Sequence, residues 1–154
     1  MLMDGLLKPA TLADTDAIVA MMEEYYQFDQ LPWDEAGART ALHGLISDPH
    51  AGRVWLICPA DEIVGYVALT LGYSLEYKGR DAFVDEIYLR ESHRGRGLGK
   101  QALAMVFETC GTLGVRALHL EVSRGNTAAQ GLYRQLGFEL HSSYFMSKVI
   151  APNR

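Results

Sequence analysis

A chain of 154 residues holds one domain with a genuine core and has no room for a second, so residues 1–154 are read as a single domain. A net charge of −5 argues against a nucleic-acid binder, which is usually basic. The apolar share of 49% and charged share of 21% are those of an ordinary globular protein, and no apolar run approaches the roughly 18 to 20 residues that span a bilayer.

Met1 to Pro9 lacks a basic region followed by an apolar stretch and a small-residue cleavage site, so a cytoplasmic location is expected. Leu6 and Leu7, ahead of Pro9, suggest a short first strand. Thr11 or Asp14 can cap a helix with Ile18, Val19, Met22 and Tyr26 as its apolar positions. That helix should fail around Phe28 to Pro32, and a second should run from after Asp34 to Ile46. Arg53 to Cys58 and Ile63 to Leu71 read as a hairpin joined by a turn at Pro59 to Glu62. Gly72 to Asp81 reads as a polar and aromatic loop, and Phe83 to Leu89 as the next strand. Leu98 to Leu113 is strongly helical, with Leu103, Val106 and Phe107 on one stripe. Val115 to Val122 reads as a strand, Thr127 to Leu136 as a helix, and Phe138 to Val149 as one or two final strands. The pattern βααβββαβαβ is an α/β or α+β layer fold with at least one strand–helix–strand crossover. Cys58 and Cys110 have no metal or redox spacing, no metal site is read, and both cysteines are expected to be reduced and buried.

Charge is unevenly spread. Arg90, Arg94, Arg96 and Lys100 stand against the single acid Glu91, which suggests a small anionic ligand. The run His93-Arg94-Gly95-Arg96-Gly97-Leu98-Gly99-Lys100 joins a strand to a helix. Glycines there allow backbone N–H groups to approach an anion, and the helix N-terminus adds a favourable dipole. A Walker A loop is excluded because Gln101 follows Lys100 and Arg94 stands where the first glycine should be. A dinucleotide fingerprint is excluded because the glycines run at 95, 97 and 99. A plain tight turn with its basic residues in water remains the alternative.

The run Arg94-x-x-Gly97-x-Gly99 after a strand resembles the pyrophosphate-binding motif of the GNAT N-acetyltransferases. The resemblance continues in Leu120-Glu121-Val122, Asn126, Ala128-Ala129, Leu132-Tyr133 and Gly137-Phe138, and is close over residues 82 to 140. It implies a GNAT fold: a mixed sheet of about six to seven strands, splayed between the fourth and fifth, with about four helices. It also implies acetyl-CoA as the cofactor. Backbone groups of Ile87, Tyr88 and Leu89 would pair with the pantetheine arm as an added strand. Amides of Gly95, Arg96, Gly97, Leu98, Gly99 and Lys100 would hold the pyrophosphate, with charge from Arg94 and Arg96. Asn126 would bond the pantetheine region, and Tyr133 would sit near the thioester sulfur.

Acyl transfer from a thioester needs a neutral amine. A lysine-like amine has a pKa of about 10.4, so roughly one molecule in a thousand is neutral at pH 7. A carboxylate can take the surplus proton and a nearby donor can protonate the leaving thiolate. Tyr133 is the donor that the resemblance implies. Glu86 and Glu121 are equal candidates for the base, with Asp85 behind them. Neighbouring strand residues point to opposite faces, so only one of Asp85 and Glu86 reaches the site unless a bulge intervenes. Neither cysteine carries a catalytic signature, which favours direct attack in a ternary complex.

By the resemblance, acceptor contacts come from the first two helices and the loop before the cofactor strand. Tyr25, Tyr26, Phe28 and Asp85 are the candidates, an aromatic and acidic set suited to a cation on an aliphatic body. Val84 to Leu89, with its distance to Arg94, is similar to diamine acetyltransferases, so a small-molecule amine such as a polyamine leads. A protein N-terminus or lysine comes second, and an aminoglycoside-like amine third. A non-catalytic acyl-CoA sensor is the rival from another class, and the retained Tyr133 and carboxylates weigh against it. Oligomers are common in the family that the chain resembles, often through the C-terminal strands, so Tyr144-Phe145-Met146 and Val149-Ile150 are read either as a homodimer interface or as completing the core. No nucleic-acid or membrane partner is expected.

Overall fold

The computed structural model describes residues 4–151. After β1 (Leu7–Pro9), the backbone N–H and hydroxyl of Thr11 both donate to the Asp14 carboxylate, which turns the chain into α1 (Thr15–Phe28). Helix α1 buries Ile18, Val19, Met21 and Met22. Asp34 starts α2 (Glu35–Ser47) by accepting the Gly37 N–H at 3.1 Å, as expected of an N-cap aspartate.

Strands β2 (Gly52–Ile57), β3 (Gly65–Ser74) and β4 (Gly79–Leu89) follow, then α3 (Leu98–Thr112), β5 (Ala117–His119) and α4 (Thr127–Gln135). The sheet order is β1-β2-β3-β4-β5, antiparallel up to β4 and parallel between β4 and β5, with α3 as the crossover. Strand alternation divides the core in two. Trp55, Ile57, Val67, Leu69 and Val84 pack with Leu98, Leu103 and Val106 of α3. Val54, Leu56, Tyr66, Ala68 and Tyr88 pack with α1 and Leu42 of α2. Cys58 and Cys110 are buried free thiols, one in each half. Among the described residues no helix is long and apolar enough to cross a membrane.

Several expectations are corrected. The loop read at Gly72 to Asp81 is the end of a long hairpin, since Gly72 pairs with Asp81, Tyr73 with Arg80 and Ser74 with Gly79. Among the described residues the sheet has five strands rather than six or seven. The stretch read as final strands has no strand partner among the described residues, and a strand needs a neighbour for its backbone groups. Its Tyr144, Phe145, Met146, Val149 and Ile150 are 73–90% exposed. The fourth and fifth strands are not splayed apart along their pairing; they are hydrogen-bonded over Asp81–Phe83 and Ala117–His119, and β5 ends there instead of reaching Val122. Phe107, read on one stripe with Leu103 and Val106, is 65% exposed and lines the space beside β5, while the other two are buried.

Candidate active site

The site begins with a defect in the sheet. Ala68 of β3 pairs with Glu86 while the next residue, Leu69, pairs with Val84, so Asp85 is an extra residue in β4. A bulge of this kind shifts the alternation by one. Val84 and Ile87 both pack on the α3 side, whereas Glu86 and Tyr88 turn to the α1 side. Asp85 and Glu86 therefore line the same cleft, which regular alternation forbids.

The cleft holds about 390 Å³ and opens beside β4 beyond Phe83, where that strand has no partner on its β5 side among the described residues. Its lining, among the described residues, carries the carboxylates of Asp29, Asp85, Glu86 and Glu121, the single cation Arg94, and Tyr25, Phe28, Asn126 and Tyr133. Glu86 is held by two phenols: Tyr26 Oη donates to Oε2 at 2.5 Å and Tyr66 Oη to Oε1 at 2.7 Å. Burial raises the Glu86 pKa and outweighs these two donors, which pull it down; the charge of Asp85 adds to the rise. Burial alone raises Asp85, whose carboxylate has no hydrogen-bond partner among the described residues. Tyr25 is pushed up to about 12 by burial and by the charges of Asp29 and Glu86. Tyr133 is raised by burial, and its ring meets Phe138 edge-on at 6.1 Å.

Arg94 is exposed, yet it is anchored against the end of β4 and α1. Its Nε donates to the Leu89 carbonyl at 2.9 Å, and its guanidinium lies 5.0 Å from the Phe28 ring and 5.5 Å from the Tyr88 ring. Tyr88 Oη in turn donates to Glu24 at 3.0 Å, and Arg90 lies 3.7 Å from the same carboxylate oxygen. The end of β4 is thus tied to α1 by charge and ring stacking.

Beyond Arg94 the turn reaches α3. Gly95 and Gly97 have φ of +77° and +76°, in the left-handed region, and nothing lies within 4 Å of where a Cβ would stand. Gly97 is the N-cap of α3 and no side chain caps that helix, so the N–H groups of its first turn point outward. An anion at this point meets backbone donors and the positive end of the helix. Leu98 is buried in the core and offers only its backbone, while Lys100 reaches Gln135 at 3.5 Å. Arg96 is exposed.

The structure brings together Asp85, Glu86, Ile87, Tyr88, Leu89, Arg94, Glu121, Asn126, Tyr133, Tyr25 and Phe28 in one cleft lining. Tyr26 is not part of that lining; its hydroxyl is spent on Glu86. Glu121 is exposed, and Asn126 caps α4, accepting the Ala129 N–H at 3.1 Å. Tyr66 was missed by the sequence reading. Its one signal was a tyrosine in an apolar strand, since a buried phenol needs a hydrogen-bond partner.

Comparison with known proteins bears on the family of the chain. The Acetyltransferase (GNAT) family profile matches residues 18–138. The L-methionine sulfoximine/L-methionine sulfone acetyltransferase of Pseudomonas aeruginosa is 28% identical over 144 residues, covering 90% of this chain and 82% of that protein. The thialysine N-epsilon-acetyltransferase of Mus musculus is 26% identical over 142 residues, covering 85% and 82%. An integron cassette protein from the mobile metagenome of Cole Harbour Salt Marsh superposes with a TM-score of 0.84 at 37% identity, over 96% of this chain and 92% of that one. The chain belongs to the GNAT acetyltransferase family and is an acetyl-transferring enzyme.

Proposed function

We propose that this enzyme transfers the acetyl group of acetyl-CoA to the primary amine of a small cationic molecule, a polyamine or related amine, by direct attack in a ternary complex. The observation that carries this reading is the bulge at Asp85. It turns two carboxylates of raised pKa into a cleft that also holds Tyr133.

The residues suit the cofactor. Open space at Gly95 and Gly97 and the uncapped start of α3 fit a pyrophosphate, and the unpaired edge of β4 from Val84 to Leu89 fits an amide-bearing arm. Acetyl-CoA, when bound, supplies an activated acetyl thioester. Gly95 to Lys100 would hold its phosphates, Ile87 to Leu89 its arm, and Asn126 its pantetheine amide region.

An ammonium entering the cleft meets Asp29, Asp85, Glu86 and Glu121 together with the Tyr25 and Phe28 rings, which favours a cation. The amine must lose a proton to become a nucleophile. A carboxylate of raised pKa is better matched to that task than an ordinary one. Asp85 has both oxygens available, whereas each Glu86 oxygen already accepts a phenol. Asp85 is therefore the proton acceptor, with Glu86 fixed beside it as a second negative charge. Tyr133 keeps its phenolic proton at neutral pH and holds it in the cleft as the acid.

An amino-acid amine is the second reading, because the two relatives named above act on methionine sulfoximine or thialysine by name. The exposed Tyr144, Phe145, Met146, Val149 and Ile150 support a homodimer built on the C-terminal segment. Incubation with acetyl-CoA and a mixture of diamines, polyamines, amino acids, aminoglycosides and peptides, read by mass spectrometry, tests the function. An acetylated di- or polyamine bears it out; an acetylated amino acid favours the second reading. Acetyl-CoA binding without any acetylated product supports a sensor module instead.

A further inference from the structure

The sheet face that carries Asp85 continues beyond the cleft. Ala82 and Val84 are buried toward α3, so Asp81 and Phe83 stand on the opposite face. On the neighbouring strand, Leu118 and Leu120 pack on the α3 side, and His119 between them faces the same way as Phe83. The Phe83 and His119 rings are 4.9 Å apart, and Tyr77, from the β3–β4 turn, meets His119 edge-on at 5.1 Å. His119 Nε2 lies 3.1 Å from Asp81 Oδ2, with both side chains only 15–17% exposed.

Tyr77, Phe83 and His119 line a cavity of about 710 Å³, and this cavity shares Leu120, Glu121, Val122 and Tyr133 with the cleft. The two spaces adjoin along the segment just beyond β5. Asp81 and Asp85 are four residues apart on β4, roughly 13 Å along an extended strand and the reach of an alkyl chain of about ten bonds.

We propose that Tyr77, Phe83, His119 and Asp81 form a distal subsite for a second ammonium group of an elongated linear amine whose other end is acetylated beside Asp85 and Tyr133. This rests on the acetyl-transfer reading of the cleft and deepens it, since it makes separation between the two nitrogens the basis of selection. Tyr77 and Phe83 supply π faces for the cation, Asp81 lies behind them against His119, and Leu120 and Val122 suit the methylene chain. Of the two arginines in the lining, Arg124 is stacked 4.5 Å from the Tyr144 ring and Arg134 belongs to α4.

The test compares 1,4-diaminobutane with 1,10-diaminodecane as acceptors for the wild type, Phe83→Leu and Asp81→Asn. Calorimetric binding of the longer diamine is measured alongside. The expected result is a kcat/KM at least about tenfold higher for the longer diamine, with that ratio collapsing in both variants and its binding weakening in step. Equal use of the two diamines, or a ratio untouched by both substitutions, overturns the distal subsite and leaves acetyl transfer to amines standing. If no diamine is acetylated, the reading of the cleft fails and calorimetry alone decides the subsite. Binding of 1,10-diaminodecane weakened about tenfold in Phe83→Leu sustains it, and absent or unchanged binding overturns it.

Discussion

Tyr66, on the strand beside β4, donates its hydroxyl to Glu86 Oε1 at 2.7 Å, from a position almost wholly closed to solvent. The pair exists because the bulge at Asp85 reverses which face Glu86 occupies. It fixes the carboxylate without neutralising it, since a phenol donor favours the charged form while burial opposes it.

Tyr66→Phe should therefore move the Glu86 pKa further upward, because it removes one of the two donors that lower it. Loss of the hydrogen bond to a partly buried carboxylate should cost about 1 to 3 kcal/mol of stability. Urea denaturation checks the cost. Carbon-13 NMR titration of the glutamate carboxyls checks the sign; a Glu86 pKa that falls or stays put removes Tyr66 from its support.

Asp85 offers a prediction in pH. Its folded-state pKa lies above the ordinary carboxylate value because of burial, so its favourable contribution is complete at low pH and is lost as pH rises through that raised pKa. Asp85→Asn should then leave Tm unchanged well below the carboxylate range and raise it modestly at neutral pH. The same substitution should sharply lower turnover. Thermal denaturation between pH 3 and pH 8 reads the first effect; a gain confined to low pH has the wrong sign for this account.

Much of the architecture was legible from local chemistry. The apolar positions of α1, the Asp34 cap of α2 and the β2–β3 hairpin all depend on residues near one another in sequence. Gly72 to Asp81 misled because glycines, serine and tyrosines look like a loop. Cross-strand pairing with Arg80 and Asp81 overrides that local preference and delays the turn to Lys78, at φ +65°, and Gly79. Phe138 to Val149 misled in the opposite way: an apolar run announces a strand, but pairing needs a neighbour that sequence does not supply.

The candidate site divides along the same line. The glycine-rich turn and Tyr133 were visible as motifs. The Tyr26–Glu86–Tyr66 contacts and the His119–Asp81 pair join residues 20 to 60 positions apart. They depend on strand register and a bulge, which no local pattern specifies.

Tyr133→Phe should lower kcat by about 100-fold, within the range for losing a positioned proton donor. Its Kd for acetyl-CoA should stay within about twofold of wild type, since the ring and its contact with Phe138 remain. Stopped-flow turnover and calorimetry separate the two effects. Unchanged turnover takes Tyr133 out of the chemistry.

Gly97→Val should be the most damaging change in the turn. A β-branched residue at φ +76° is strained by about 1 to 3 kcal/mol, and its side chain would fill the open space in front of the α3 N-terminus. Acetyl-CoA affinity should fall by more than about 100-fold. Circular dichroism establishes that the variant folds, and calorimetry measures the affinity; retained affinity would place the phosphates elsewhere.

The central claim is acetyl transfer to a small cationic amine in the cleft between β4 and the chain beyond β5. Release of CoA thiol from acetyl-CoA, followed continuously with and without a saturating diamine, tests it most directly. The account predicts a rate that depends on the diamine, rises with pH as the cleft carboxylates ionise, and is lost in Asp85→Asn. Thiol release at the same slow rate with and without every amine, in protein that binds acetyl-CoA, would contradict it.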